Sequence, residues 1–227
     1  MLKKFLVCLI FLFSSVPAYS EIDKYTVENA WRNIALAGNF EVVKVNYEDQ
    51  TAPNAWVLFK SEKDFSVHVT TGLMKILNYE EEIAGVMGHE LGHIKLGHYN
   101  KSKKRNTGLK VGGKILSWGL GRITGGIGGV GGAVAKAAGD QAISVGQGLI
   151  SGGFSREQEI EADDYGTDLL VSAGYSPYGL YYAMKAFKDN GIETKPSGFN
   201  SHPPTDRRLK HIYDRAKKID LKLKLGK

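Results

Sequence analysis

Residues 78–99, NYEEEIAGVMGHELGHIKLGHY, constrain the fold more than any other stretch of this chain. Asn78 is a good N-cap, Glu81 falls three residues on to complete a capping box, and Glu80 to Glu82 suit the positive end of a helix dipole. No residue breaks the predicted helix before about Tyr99. Gly85, Gly88 and Gly92 lie inside it, and each costs a helix about 1 kcal/mol relative to alanine. Three such residues are explained if something packs tightly against that face, or must come close to whatever the helix binds.

His89 and His93 are four residues apart, so on a helix they project from one face, about 40° apart around the axis. Their imidazoles can share one tetrahedral cation on the helix flank. Glu90 is turned by about 100° from His89, off the ligand face but within reach of a water on the metal. Zinc lowers the pKa of such a water toward neutrality, and a carboxylate can take its proton. The spacing therefore predicts metal-assisted hydrolysis with Glu90 as the base. A pair of ordinary surface histidines is the competing reading, and it leaves the three glycines unexplained.

Two histidines leave a ligand to be found. In the metzincin pattern a third histidine would stand at position 99 with glycine at 96; Tyr99 and Leu96 exclude it. His98, on an unbroken helix, points away from the His89 and His93 face and reads as structural. The remaining source is a second helix, SREQEIEADDYGTDLLVSAG. Ser155 is its N-cap, Gln158 reciprocates, and Gly174 is its stop. Glu157, Glu159 and Glu161 compete there for the third position.

The rest of the chain supplies a small sheet, more helices and one stretch of different character. A helix is expected over 25–37, with Val27, Ala30, Trp31, Ile34 and Leu36 near one face. Three strands are expected at 40–47, 55–60 and 65–70, where β-branched and aromatic residues alternate with turn signals. Helices follow from Pro177 to about Lys188 and from Asp206 to about Lys218, an α+β arrangement. Residues 108–153 hold 16 of the 28 glycines and a single acid, Asp140, and read as an insertion. Arg122 and Lys136 interrupt its small-residue spacing, against a membrane span.

The first twenty residues have the three parts of a secretory leader: Lys3 and Lys4, an apolar run from Phe5 to Val16, and small residues at Ala18 and Ser20. Cleavage near Ala18 or Ser20 leaves a single domain over 21–227 and places it in the periplasm or outside the cell. Cys8 leaves with the leader, so the mature chain contains no cysteine and no disulfide. The remaining positive charge is thinly spread. Its densest run, Lys101 to Arg105, follows a helix end and lacks the aromatic interleaving of a nucleic-acid site. A peripheral membrane contact through the basic or glycine-rich segments is the alternative partner.

HELGHIKLGH, then SREQEIEADDYG, then SHPPTDRRL together resemble the HtpX-like and CAAX prenyl protease type I zinc metallopeptidases, over about Pro53 to Leu209. The resemblance implies a mainly helical, zincin-like minigluzincin domain with a small three-stranded sheet and one zinc ion. It implies zinc on His89, His93 and Glu159, with Asp163 orienting a ligand histidine. His202 matches a histidine that can stabilise the oxyanion or cap the metal, and Arg208 matches a basic position with no assigned role. The strand around Val67 to Val69 would offer its edge to an extended peptide. Helical projection agrees on the third ligand. With Glu159 inward, Asp163, Gly166 and Leu170 share its stripe. With Glu161 inward the stripe holds Gln158, Tyr165 and Asp168, which are bulky or charged, and with Glu157 inward it holds Glu161 and Asp164. The expected activity is endoproteolysis of unfolded or mis-assembled cell-envelope proteins. A chaperone-like holdase, or a glycine-rich membrane-interaction protein with structural zinc, are the alternatives; Glu90 argues for hydrolysis, because structural zinc needs no base.

Overall fold

A computed structural model describes residues 21–61, 63–101, 154–192 and 202–226. The expected leader and glycine-rich insertion lie outside the described residues. Helix α1 (Lys24–Ala37) starts at Asp23, whose carboxylate accepts from Thr26 N at 2.7 Å. It buries Val27, Ala30, Trp31, Ile34 and Ala35, whereas Leu36, expected near the same face, is 62% exposed. Leu36 stands two residues past Ile34, about 200° around the helix.

The sheet comprises β1 (Val45–Glu48), β2 (Ala55–Ser61) and β3 (Asp64–Thr70), in the order β1-β3-β2. β1 runs parallel to β3, with Val45 opposite Val67, and β2 is antiparallel to it, with Val57 opposite the same valine. Two expectations are corrected here. The first strand begins at Val45 rather than Phe40. Asn39 adopts a left-handed φ of 57°, Phe40 N bonds back to Ala35 O, and Trp31 Nε1 donates to Val43 O, so 40–44 is a connection tethered to α1 rather than part of the strand. And β3, which carries Val67 to Val69, is the central strand. Both its edges are paired and neither is open to a substrate.

Short α2 (Thr71–Ile76) is capped by Thr70 and leads to α3 (Glu80–Lys95). α3 begins one residue later than its sequence signals suggest. Glu82, not Glu81, is the reciprocating carboxylate, its Oε2 accepting from Asn78 N at 2.7 Å and Tyr79 N at 3.3 Å. The helix also ends earlier, at Lys95, and Gly97 turns the chain with φ +67°. Every residue from Glu82 to Ile94 is buried.

Helices α4 (Arg156–Ser172) and α5 (Gly179–Asp189) pack on α3 together with α1, and α6 (Asp206–Leu225) packs on α4 and α5. The expected capping box at Ser155 and Gln158 forms, Pro177 falls before α5 rather than in it, and α6 runs seven residues beyond Lys218. The interior glycines mark the close approaches. A Cβ at Gly85 would meet Leu180 N of α5 at 2.6 Å, and at Gly88 and Gly92 it would press on Gly166 and Ala162 of α4. Among the described residues, no helix is long and apolar enough to cross a membrane. The architecture is mainly helical α+β, with α3 at its centre.

Candidate metal centre

α3 presents His89 and His93 from one flank, with their Nε2 atoms 3.0 Å apart. α4 crosses that flank at Gly166, where a Cβ would meet His89 N at 2.8 Å. The close crossing puts Glu159 opposite the imidazoles, its oxygens 3.5 Å from His89 Nε2 and 3.6 Å from His93 Nε2. From just before α6, His202 brings its Nδ1 to 3.1 Å from His89 Nε2 and 3.0 Å from Glu159 Oε1. One donor atom from each of these four residues lies within 4.8 Å of every other. Glu159, Asp163, Gly166 and Leu170 do form the inward stripe of α4, while Glu157 and Glu161 are exposed.

The neighbours of each Nδ1 bear on what the two imidazoles offer. His89 Nδ1 lies 3.0 Å from Asp163 Oδ1, at ion-pair distance though off the hydrogen-bond axis. His93 Nδ1 contacts His98 Nδ1 at 3.0 Å, and His98 Nε2 contacts Glu161 Oε2 at 3.0 Å. A carboxylate only accepts, so the His98–Glu161 contact puts the His93 proton on Nδ1 and turns its Nε2 lone pair toward His89 and Glu159, and Asp163 beside His89 Nδ1 favours the same tautomer there. Lone pairs that close, with a buried carboxylate beside them, are reconciled by a cation. Two imidazole nitrogens and a carboxylate oxygen are a zinc donor set, so the residues fit the metal.

The surrounding charges support that state. Burial first, and then the neighbouring His89, His202 and His98, hold His93 well below its ordinary pKa, so it stays neutral. Burial pushes Glu159 upward, but His202 and Arg208 outweigh it and leave the carboxylate ionised below its usual range. His202 is the reverse case: burial opposes its protonation, while Glu159 and Glu90 prevail and raise it. Glu90 lies off the donor cluster. Its Oε1 is 3.4 Å from His202 Nε2, and its buried Oε2 has no hydrogen-bond partner.

Three features escaped the sequence reading. Arg208 is buried. It grips Asp163 through Nε at 2.9 Å and Nη2 at 2.6 Å, and reaches Glu159 Oε2 through Nη1 at 2.7 Å. Burial alone would raise Asp163; Arg208 outweighs it and brings the pKa to about 2. Second, His98 does not point away, because α3 stops at Lys95 and Gly97 swings it back under His93. Gly97 was the available signal. Third, Phe154 lies on the His93 ring, centroids 3.7 Å apart and planes 19° apart, with Tyr99 edge-on to it.

Against known proteins, the model of Peptidase family M48 matches residues 23–216. The chain belongs to Peptidase family M48. It is a zinc metalloprotease, and the donor cluster lies within the matched span. The chain is 32% identical to Metalloprotease YcaL of Escherichia coli (strain K12) over 198 residues, 86% of this chain and 72% of YcaL. It is also 32% identical to Metalloprotease LoiP of the same strain over 203 residues, 88% and 72% of the two chains. A Protease HtpX homolog of Thermodesulfovibrio yellowstonii is 42% identical over 76 residues, 34% of this chain and 27% of that protein. The family resemblance seen in the motifs is thereby borne out, as is the zinc enzyme it implied.

Proposed function

We propose that this metalloprotease is an endopeptidase for unfolded or mis-assembled cell-envelope proteins, with zinc held by His89, His93 and Glu159. The observation that carries the reading is the convergence of two buried imidazole nitrogens, that of His93 held neutral by burial, and one ionised, buried carboxylate on one point. Zinc held there would supply Lewis acidity and lower the pKa of an attacking water toward neutrality. Glu90, with an unpartnered carboxylate oxygen beside the donors, takes that water's proton and passes it to the leaving amine. Asp163, clamped by Arg208, holds His89 in the tautomer that turns Nε2 inward.

His202 is the resting cap in this reading. Its Nδ1 stands among the donors, and as an additional ligand it would close a site that catalysis needs open. A divalent cation favours the neutral imidazole, against the pull of Glu159 and Glu90. His202 must withdraw before a substrate carbonyl can approach, which makes the enzyme latent.

An extended peptide is taken along β2, whose far edge is free of β3. Val57 O on that edge accepts from Tyr99 OH at 3.3 Å, and the Tyr99 ring lies 6.4 Å from His93, so the edge borders the donors. The leader pattern of residues 1–20 supports an envelope location, and the span 21–227 acts as one domain. Casein cleavage with and without a chelator, beside the zinc content of Glu159→Ala, tests the proposal. Wild type should cleave only with metal, and Glu159→Ala should lose zinc and cleavage together. Zinc retained in Glu159→Ala overturns the ligand set; peptide binding without cleavage by wild type favours a holdase.

A further inference from the structure

We infer that His98, backed by Glu161, is a positioning residue that aims His93 at the metal. The inference rests on His93 being a zinc ligand and adds a residue that the ligand motif does not contain. His98 is fully buried, with one ring nitrogen on His93 Nδ1 and the other on Glu161 Oε2, each at 3.0 Å. The order of the chain sets its direction. Glu161 can only accept, so His98 Nε2 carries the proton and His98 Nδ1 keeps a lone pair. His93 Nδ1 must then donate to it, and the His93 Nε2 lone pair is directed at the donor cluster. Without that acceptor, His93 is free to take the other tautomer, with a proton where the metal should be.

One further contact restrains the same ring. Phe154 lies nearly parallel on one face of His93, which blocks rotation about the Cβ–Cγ bond. The Nδ1 bond to His98 then fixes the ring in its own plane. The two ligand histidines are thus supported differently: His89 directly by a carboxylate that Arg208 clamps, His93 through an intervening imidazole. The relay exists because α3 ends at Lys95. On an uninterrupted helix His98 would face elsewhere; the left-handed Gly97 brings it beneath His93.

Glu161 keeps 55% of its side chain exposed, so solvent damps its share and the acceptor on His98 carries most of the effect. Loss of a group that orients a ligand histidine typically weakens metal affinity by roughly 10- to 100-fold. His98→Phe should fall in that range. His98→Asn, whose amide oxygen stands near the former Nδ1, should recover much of the loss, and Glu161→Gln should weaken binding a few-fold.

The test is the zinc Kd of the purified chain, by competition with a chromophoric chelator. The Co2+ d–d spectrum and the metal-free thermal midpoint are recorded for each variant, with His93→Ala as reference. The expected order of affinity is wild type, His98→Asn, His98→Phe, with a changed Co2+ spectrum in the last. A lower metal-free midpoint with wild-type zinc Kd in His98→Phe means a purely structural role and overturns the inference. Should His98→Phe not fold, Glu161→Gln decides: a few-fold weakening supports the relay, and a wild-type Kd overturns it. Wild-type affinity in His93→Ala is a different failure, that of the ligand assignment itself.

Discussion

A methyl group added at Gly166 sets two effects of opposite sign against each other. In the middle of α4, alanine is favoured over glycine by about 1 kcal/mol through helix propensity alone. The new Cβ, however, meets His89 N at 2.8 Å, Gly88 C at 3.0 Å and His89 Cα at 3.1 Å, all backbone in the buried stretch of α3. No flexible side chain is available to move, so α3 and α4 must part by about half an ångström, at an overpacking cost of about 1–3 kcal/mol. The packing effect wins, and Gly166→Ala is predicted to be destabilising despite its better propensity. Because Glu159 and Asp163 lie on the same stripe of α4, the separation also draws them from His89, and zinc affinity should fall with stability. Urea denaturation of the metal-free protein measures the first effect as a lower midpoint at constant m, and chelator competition measures the second. Gly174→Ala is the control. It sits at φ +84° with open space around it, so strain costs about 1 kcal/mol there while zinc affinity stays at the wild-type level. A Gly166→Ala protein as stable as wild type, or one that keeps full zinc affinity, refutes the reasoning.

Two other perturbations test the charges around the site. Arg208→Met leaves Asp163 and Glu159 buried without their cation and should cost about 3–5 kcal/mol. The same change alters the acid limit. Asp163, held near 2, contributes stability that is complete above its unfolded value near 3.8 and fades as pH falls through about 2. Without Arg208, burial raises Asp163, so acid unfolding should begin at higher pH; an unchanged acid transition by circular dichroism counts against the clamp. His202→Ala should raise basal casein cleavage with zinc content unchanged. A fall in kcat instead assigns His202 to the transition state, and an unaltered rate removes both roles.

Much of the site was legible because local rules act strongly there. His89, Glu90 and His93 are placed by helical spacing alone, and Gly85, Gly88 and Gly92 announced the close packing that α4 and α5 supply. Glu159 could be separated from Glu157 and Glu161 because only its stripe carries a glycine at the crossing point. What stayed hidden depends on contacts distant in sequence. Arg208 reaches Asp163 and Glu159 across more than forty residues, which no periodicity reports. His98 was misjudged from the assumption that α3 continued past Gly97. The sheet order was equally silent in the strand pattern, since three alternating runs look alike whichever is central, and β3, whose edge was expected to take a peptide, is paired on both sides. Residues 40–44 look like a strand, yet the Trp31 side chain and the end of α1 claim their backbone.

In the proposed mechanism Glu90 acts on the water and not on the metal, while the cation sits on its neighbours. Zinc content and casein cleavage of purified Glu90→Gln, measured on the same preparation, test it most directly. The amide keeps the shape of the carboxylate but is a far weaker base, so cleavage should vanish while one zinc per chain remains. Zinc lost together with activity makes Glu90 a structural part of the site, and cleavage retained at the wild-type rate removes it from the chemistry.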